Sequence, residues 1–363
     1  MVDQVTPTVS HPSTGQLARQ VGVATLSRLL LNTARRFIYP FAPALSRGLG
    51  VPLTAITSLI ALNQVANLLS PLFGPLGDRW GYRLMMLAGL TMLAVGMTAS
   101  GLLPFYGMLV VAVFLAGLGK SAFDPALQAY VGERVSYQRR GLVIGVIEFS
   151  WAGSALIGIP LVGLLIDRWG WQSPLWVLGG LAWLSVFALG RVIPADVRSQ
   201  RLSGSSTGLR QAWRLVSRER AAAGALGFIL FTALANDNLF VVYGIWLEES
   251  FALSVVALGS ATTVIGVAEL MGEGLTATVA DRLGLKRATF TGLVCSSLSY
   301  ALLPLLGQSL PLALAGLFLT FITFEFSVVT SFSLFTEVLP KARASMMSSL
   351  LAAAGIGRVI GAL

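Results

Sequence analysis

Two glutamates one helical turn apart in an apolar stretch, Glu269 and Glu273, are well suited to carrying a proton. Carboxylates that close together in a low dielectric cannot easily both ionise, so one is expected to stay protonated. The polar positions around them, Gly259, Thr262, Gly266, Glu269, Glu273 and Thr276, recur at helical spacing, while Ile265, Val267, Leu270, Met271 and Leu275 take the other faces. Such a stripe must face protein or a water-filled space. A static alternative is open: bases on neighbouring helices would pair both glutamates. Asp237, flanked by Asn236 and Asn238, is a second proton-carrying candidate, and Asp124 a third.

Other polar residues in apolar stretches are candidates for lining a cavity. Arg28, Asn32, Arg35 and Tyr39 share a helical face, with Arg36 adjacent, and Asn63 and Asn67 stand one turn apart. Lys120, Asp124 and Gln128 follow one another at i, i+4 and i+8, although Lys120 and Asp124 can simply neutralise each other. Asn236 belongs to the same set. So does Glu325, which lies off the Thr320, Thr323, Ser327 and Thr330 stripe. The first half of the chain supplies mostly bases to this set and the second half mostly acids. A cavity positive on one wall and negative on the other would suit a small zwitterionic or cationic amphipathic compound.

The elements that hold these residues must be membrane helices. Of 363 residues, 55% are hydrophobic and 11% charged, against about 25% charged in soluble domains. A soluble globule with so few charges would expose apolar surface and aggregate, and disorder is excluded by the apolar content. The net charge of +9 comes from clusters between apolar runs, which fits membrane orientation better than nucleic-acid binding. One histidine, His11 in a polar leader, and one cysteine, Cys295 in an apolar run, leave no disulfide, no metal-ligand spacing and no histidine catalysis in the body of the chain. The remaining carboxylates are scattered over several helices, so an enzyme is not expected, and neither is a cofactor.

Eleven apolar runs approach the roughly 20 residues that cross a bilayer: 22–45, 52–76, 84–101, 105–131, 141–165, 172–192, 222–246, 255–279, 287–306, 309–335 and 344–363. Residues 1–21 read as a cytoplasmic tail with no signal-peptide core, and 193–221 as a basic, Gly/Ser-rich cytoplasmic linker. With the N-terminus inside, inside segments hold 18 Lys and Arg and outside loops hold two, Arg47 and Arg168. That asymmetry sets the expected orientation in a plasma (inner) membrane.

The chain repeats itself. Asp78-Arg79-Trp80-Gly81-Tyr82-Arg83 after the second span returns as Asp281-Arg282-Leu283-Gly284-Leu285-Lys286-Arg287 after the eighth, 203 positions on. The same offset carries Arg140 onto Arg343 and Phe37 onto Phe240. Parallel six-helix repeats are expected, six helices in 22–192 and five of the second six in 222–363, with a binding site between them near the midplane. The sixth span would find its partner beyond Leu363, so a twelfth helix is expected to be missing from this chain.

Gly74-Pro75-Leu76-Gly77-Asp78-Arg79-Trp80-Gly81-Tyr82-Arg83 resembles the signature loop of the major facilitator superfamily, with Tyr82 where a basic residue is usual. The degenerate second copy and the 6 + 6 layout are similar too. The resemblance implies a secondary transporter, all-α and membrane-embedded, working by alternating access on a small molecule as a monomer. It also implies that Gly74, Asp78, Arg79, Gly81, Arg83, Glu133 and Arg140 form a conformational latch. Asp281, Arg282, Gly284, Arg287, Glu337 and Arg343 would form its second copy. A carboxylate at Asp78 also suits the positive end of a neighbouring helix, and a static loop staple is the plainer alternative. Gly145, Gly153, Gly158, Pro160 and Gly163 in span five allow close packing and a bend. They partly match the glycine/proline motif of the family's proton-coupled exporters, although the arginine those exporters carry in span four is replaced here by Val113. Proton-coupled export is therefore the leading expectation. A narrow-substrate importer or facilitator, or a non-transporting receptor or scaffold, is the alternative.

Overall fold

The computed structural model describes residues 14–69, 73, 76–77, 80–135, 137–194, 219–336, 338 and 343–362. These residues are almost wholly helical and contain no strand. The first span is broken into α1 (Thr14–Arg36) and α2 (Ile38–Leu49). Pro40 lacks the N–H that would reach the Arg36 carbonyl, and Phe41 has left helical geometry at φ −102° and ψ 15°. Three helices follow: α3 (Leu53–Leu68), α4 (Tyr82–Leu102) and α5 (Tyr106–Arg134). The fifth span is α6 (Tyr137–Gly153), a π turn (Ser154–Gly158) and α7 (Ile159–Trp169). The first half closes with α8 (Ser173–Val192). The second half contains α9 (Arg220–Phe251), α10 (Val255–Leu275), α11 (Leu285–Leu306), α12 (Leu310–Thr336) and α13 (Arg343–Ala362).

Each of the eleven expected spans thus carries a helix. By length and composition, eight are apolar and long enough to cross a membrane, and Leu53–Ala66 and Ser349–Ala362 are shorter apolar helices. α1 begins at Thr14, inside the stretch read as a tail. Side chains such as Leu184, Phe187, Phe231, Phe290, Leu298 and Leu305 point outward and are exposed. In water they would aggregate, whereas in lipid tails they are solvated.

The duplication is visible in the backbone. Gly81 and Gly284, 203 positions apart, have φ of 100° and 80° and each immediately precedes a helix, α4 and α11. A side chain is strained in that region, which explains why glycine stands in both copies. The contacts between halves follow the same symmetry: α7 and the π turn pack on α10, and α3 packs on α13. The offset carries α3 onto α10 and the fifth span onto α13.

Close approach at one end joins the halves. A Cβ on Gly244 of α9 would lie 2.7 Å from the Cα of Pro40 in α2, and one on Gly163 of α7 would lie 3.0 Å from the Val255 carbonyl of α10. Arg47 of α2 pairs there with Glu248 of α9.

Candidate functional site

Arg35 and Arg36 fall in the last turn of α1, and Pro40 leaves the Arg36 carbonyl without its helical partner. The two guanidiniums then diverge. Arg36 forms a two-pronged ion pair with Glu269 of α10, its Nη2 2.8 Å from Oε1 and its Nη1 3.1 Å from Oε2, both residues being buried. It also donates to the Trp151 carbonyl (3.2 Å) and Ser154 Oγ (3.3 Å), where the fifth span enters its π turn. Its guanidinium lies 4.4 Å from the Trp151 ring centroid, a cation–π contact. Every partner of this cation is therefore fixed by the protein, and the pair spans the two halves.

Arg35 has neutral partners. Its Nε donates to Asn63 Oδ1 (2.7 Å) and its Nη2 to Gln64 Oε1 (3.4 Å). Asn63 donates in turn to the Val113 carbonyl (2.9 Å), so its role is to hold Arg35 and α5 together. Gln64 Nε2 donates to the Tyr39 hydroxyl (2.8 Å) and to Asp237 Oδ1 (3.4 Å). Asp237 is 4% exposed, and its Oδ2 has no hydrogen-bond partner among the described residues.

These groups surround a cavity between the halves. Arg35, Arg36, Tyr39, Gln64 and Trp151 come from the first half, and Asn236, Asp237, Phe240 and Arg358 from the second. Tyr39 and Phe240 lie 5.4 Å apart by ring centroids, so part of the wall is aromatic. Among the described residues, neither Arg35 nor Arg358 has a carboxylate at ion-pair distance. The expected division into a basic and an acidic wall does not hold. Arg358 stands in the second half beside Asp237, and the lining carries three guanidiniums to one carboxylate.

The remaining candidates are distributed elsewhere. Arg28 pairs with Asp124 (3.2 Å) and Glu148 (3.0 Å), and Lys120 pairs with Asp124, giving a balanced cluster of two bases and two acids inside the first half. Asn32 donates to Ser150 Oγ (3.4 Å) beside it. Glu273 is half-buried outside the cavity lining, and no ion pair to it is found among the described residues. Of the two arrangements left open for the glutamates, the structure pairs Glu269 and not Glu273. Glu325 faces α10, its Cβ 2.7 Å from where a Cβ on Gly272 would be. Gln128 is exposed on α5 and is not part of this cavity's lining.

Within span five, a Cβ on Gly158 would fall 2.1 Å from Thr33 Oγ1, and one on Gly153 would meet Leu29 at 3.1 Å. Pro160 lies against Gly259, and Gly145 sits in α6. Arg83 donates to the Gly190 carbonyl of α8, and Arg282 and Arg287 are exposed. Gly74, Asp78, Arg79 and Glu337 lie outside the described residues. So do the side chains of Asn67, Glu133, Arg140, Asp281 and Arg343.

Sequence pattern does not single out Gln64 or Trp151, nor the role of Arg36. Arg358 is the single base of the second-half set, which is the available signal for it. Trp151 looks like any aromatic in an apolar run, and Phe240 is marked only as the repeat of Phe37.

Residues 24–362 match the Major Facilitator Superfamily. Over 288 residues the chain is 26% identical to the MFS-type transporter YceJ of Bacillus subtilis (strain 168), covering 79% of this chain and 73% of that protein. Multidrug resistance protein MdtG of Serratia proteamaculans (strain 568) is 25% identical over 300 residues, covering 77% and 70%. Among solved structures, a bacterial homolog of the human lysosomal transporter Spinster, inward-facing and unoccupied, superposes with a TM-score of 0.83 at 14% identity. The match covers 97% of this chain and 82% of that one, and shows a shared fold. With two helical repeats, an outward apolar surface and a charged cavity between the halves, this chain belongs to the Major Facilitator Superfamily and is a multi-pass membrane protein built for secondary transport.

Proposed function

We propose that the protein exports a small amphipathic compound bearing a cationic centre across the plasma membrane in exchange for protons. The observation that carries this reading is Asp237, a buried carboxylate at the cavity with one oxygen left unpartnered. A proton and a substrate cation compete for that oxygen, and competition for one group makes exchange obligatory. Gln64, Tyr39, Arg35 and Arg358 surround it and set its affinity for both. Of the proton-carrying candidates, Glu269 is occupied by Arg36 and Asp124 has a structural role, which leaves Asp237 and Glu273 to cycle. The resemblance to MdtG favours export of drug-like compounds.

In this reading residues 22–192 rock against 222–363, and the protein acts as a monomer. The N-terminus is cytoplasmic, so the end closed by Gly244 and Arg47–Glu248 faces outward. The signature loops at the opposite end act as the latch. The test is accumulation of fluorescent amphipathic amines, cationic and zwitterionic, in cells making the protein, before and after a protonophore. Accumulation should be lowered by the protein and restored by the protonophore, and Asp237→Asn should abolish the effect at equal expression. Gradient-driven export that persists in Asp237→Asn would remove the carboxylate from the mechanism.

A further inference from the structure

Charge balance in the cavity reaches further than the acid. Arg36 is neutralised by Glu269, and the first-half cluster balances itself. In the cavity lining itself Arg35, Arg358 and Asp237 remain, close enough to act on one another electrostatically, while Glu325 acts on Arg358 from outside the lining. Two guanidiniums against one carboxylate leave the lining with an excess of positive charge, and Arg35 bears it in a buried position. Arg35 is 8% exposed and satisfied by amide oxygens alone. An unbalanced buried cation is costly, and an anion brought from outside relieves the cost. Guanidinium also presents a planar fork that matches a carboxylate.

We infer that the transported compound is a zwitterion whose anionic group, a carboxylate or one of like charge, is received by Arg35 and Arg358 while its cation meets Asp237. The inference rests on the cavity being the substrate site, as proposed above, and narrows the substrate class. Tyr39, Phe240 and Trp151 supply aromatic faces for a flat apolar body between the two charges. A free inorganic anion is the other source of the same charge.

Rhodamine 6G and its free acid share one aromatic cation and differ in an ethyl ester against a carboxylate. Their binding to purified protein in lipid nanodiscs is read by fluorescence anisotropy. The acid should bind about tenfold more tightly or better, the range expected of a hydrogen bond between charged groups. Arg358→Gln and Arg35→Gln should each remove most of that preference. Arg358 is only partly buried and has no ion pair to lose among the described residues, so its variant serves if Arg35→Gln fails to fold. Equal or tighter binding of the ester, an unchanged preference in Arg358→Gln, or binding of neither probe by folded protein would each overturn the inference. Ester binding that requires chloride, tested by exchange for gluconate, would assign the arginines to a free anion and overturn it too. Loss of the acid preference with protonophore-sensitive export intact sinks this inference alone. An acid preference with protonophore-insensitive transport sinks the coupling and leaves the substrate class standing.

Discussion

Arg36 and Glu269 stand 233 positions apart and meet in a buried, two-pronged ion pair that ties α1 of the first half to α10 of the second. Removing one partner of such a pair strands the other in low dielectric, at a cost of about 3–5 kcal/mol. Glu269→Gln and Arg36→Gln should each lower the thermal stability of the purified protein markedly, and the double variant should lose less than the two losses combined. Additive losses in the double-mutant cycle would show that the pair contributes no coupling.

The cluster of Arg28, Lys120, Asp124 and Glu148 obeys the same arithmetic. Asp124→Asn leaves two bases facing one acid and should destabilise by about 3–5 kcal/mol. Adding Lys120→Met restores balance around the Arg28–Glu148 pair and should recover much of the loss. Thermal unfolding of the two variants side by side checks this, and a double variant no more stable than Asp124→Asn contradicts it.

Closure at the Arg47 end depends on contact between α2 and α9. With Cys295 replaced by serine, cysteines at Arg47 and Glu248 should be joined by a short bis-methanethiosulfonate reagent, and transport should stop until a reductant is added. Gly244→Val forces a side chain against the backbone at Pro40 and should lower the cross-linking yield. Undiminished turnover in fully cross-linked protein would mean that this end does not move in the transport cycle.

Glycine content alone does not predict tolerance. Gly158→Leu drives atoms into Thr33, and overpacking of that kind costs about 1–3 kcal/mol or more. Gly224 is exposed on α9, and a Cβ added there would meet nothing within 4 Å, so Gly224→Ala should be neutral or gain about 1 kcal/mol of helix propensity. Recovery of monodisperse protein by size-exclusion chromatography should fall for the first and hold for the second.

Local and periodic features are legible in the sequence. Apolar runs between charges determine the membrane setting and the helix count, because a bilayer rejects charge and requires satisfied backbone. The repeated Gly81 and Gly284 mark a duplication that the backbone displays in their shared positive φ. The Lys120–Asp124 pair follows from i, i+4 spacing on one helix. Which helix each polar face meets is decided by tertiary structure. Periodicity places a residue about its own axis, but the neighbour across the gap depends on kinks and crossing points. As neighbours on one helix, Arg35 and Arg36 point in different directions: Arg36, beside the stripe of Arg28, Asn32 and Arg35, meets Glu269, while Arg35 meets Asn63 and Gln64. The packing of α13 brings Arg358 to the cavity that Asp237 lines. Neither meeting leaves a trace in local spacing, because its energy comes from bringing together buried charges that chain order keeps far apart.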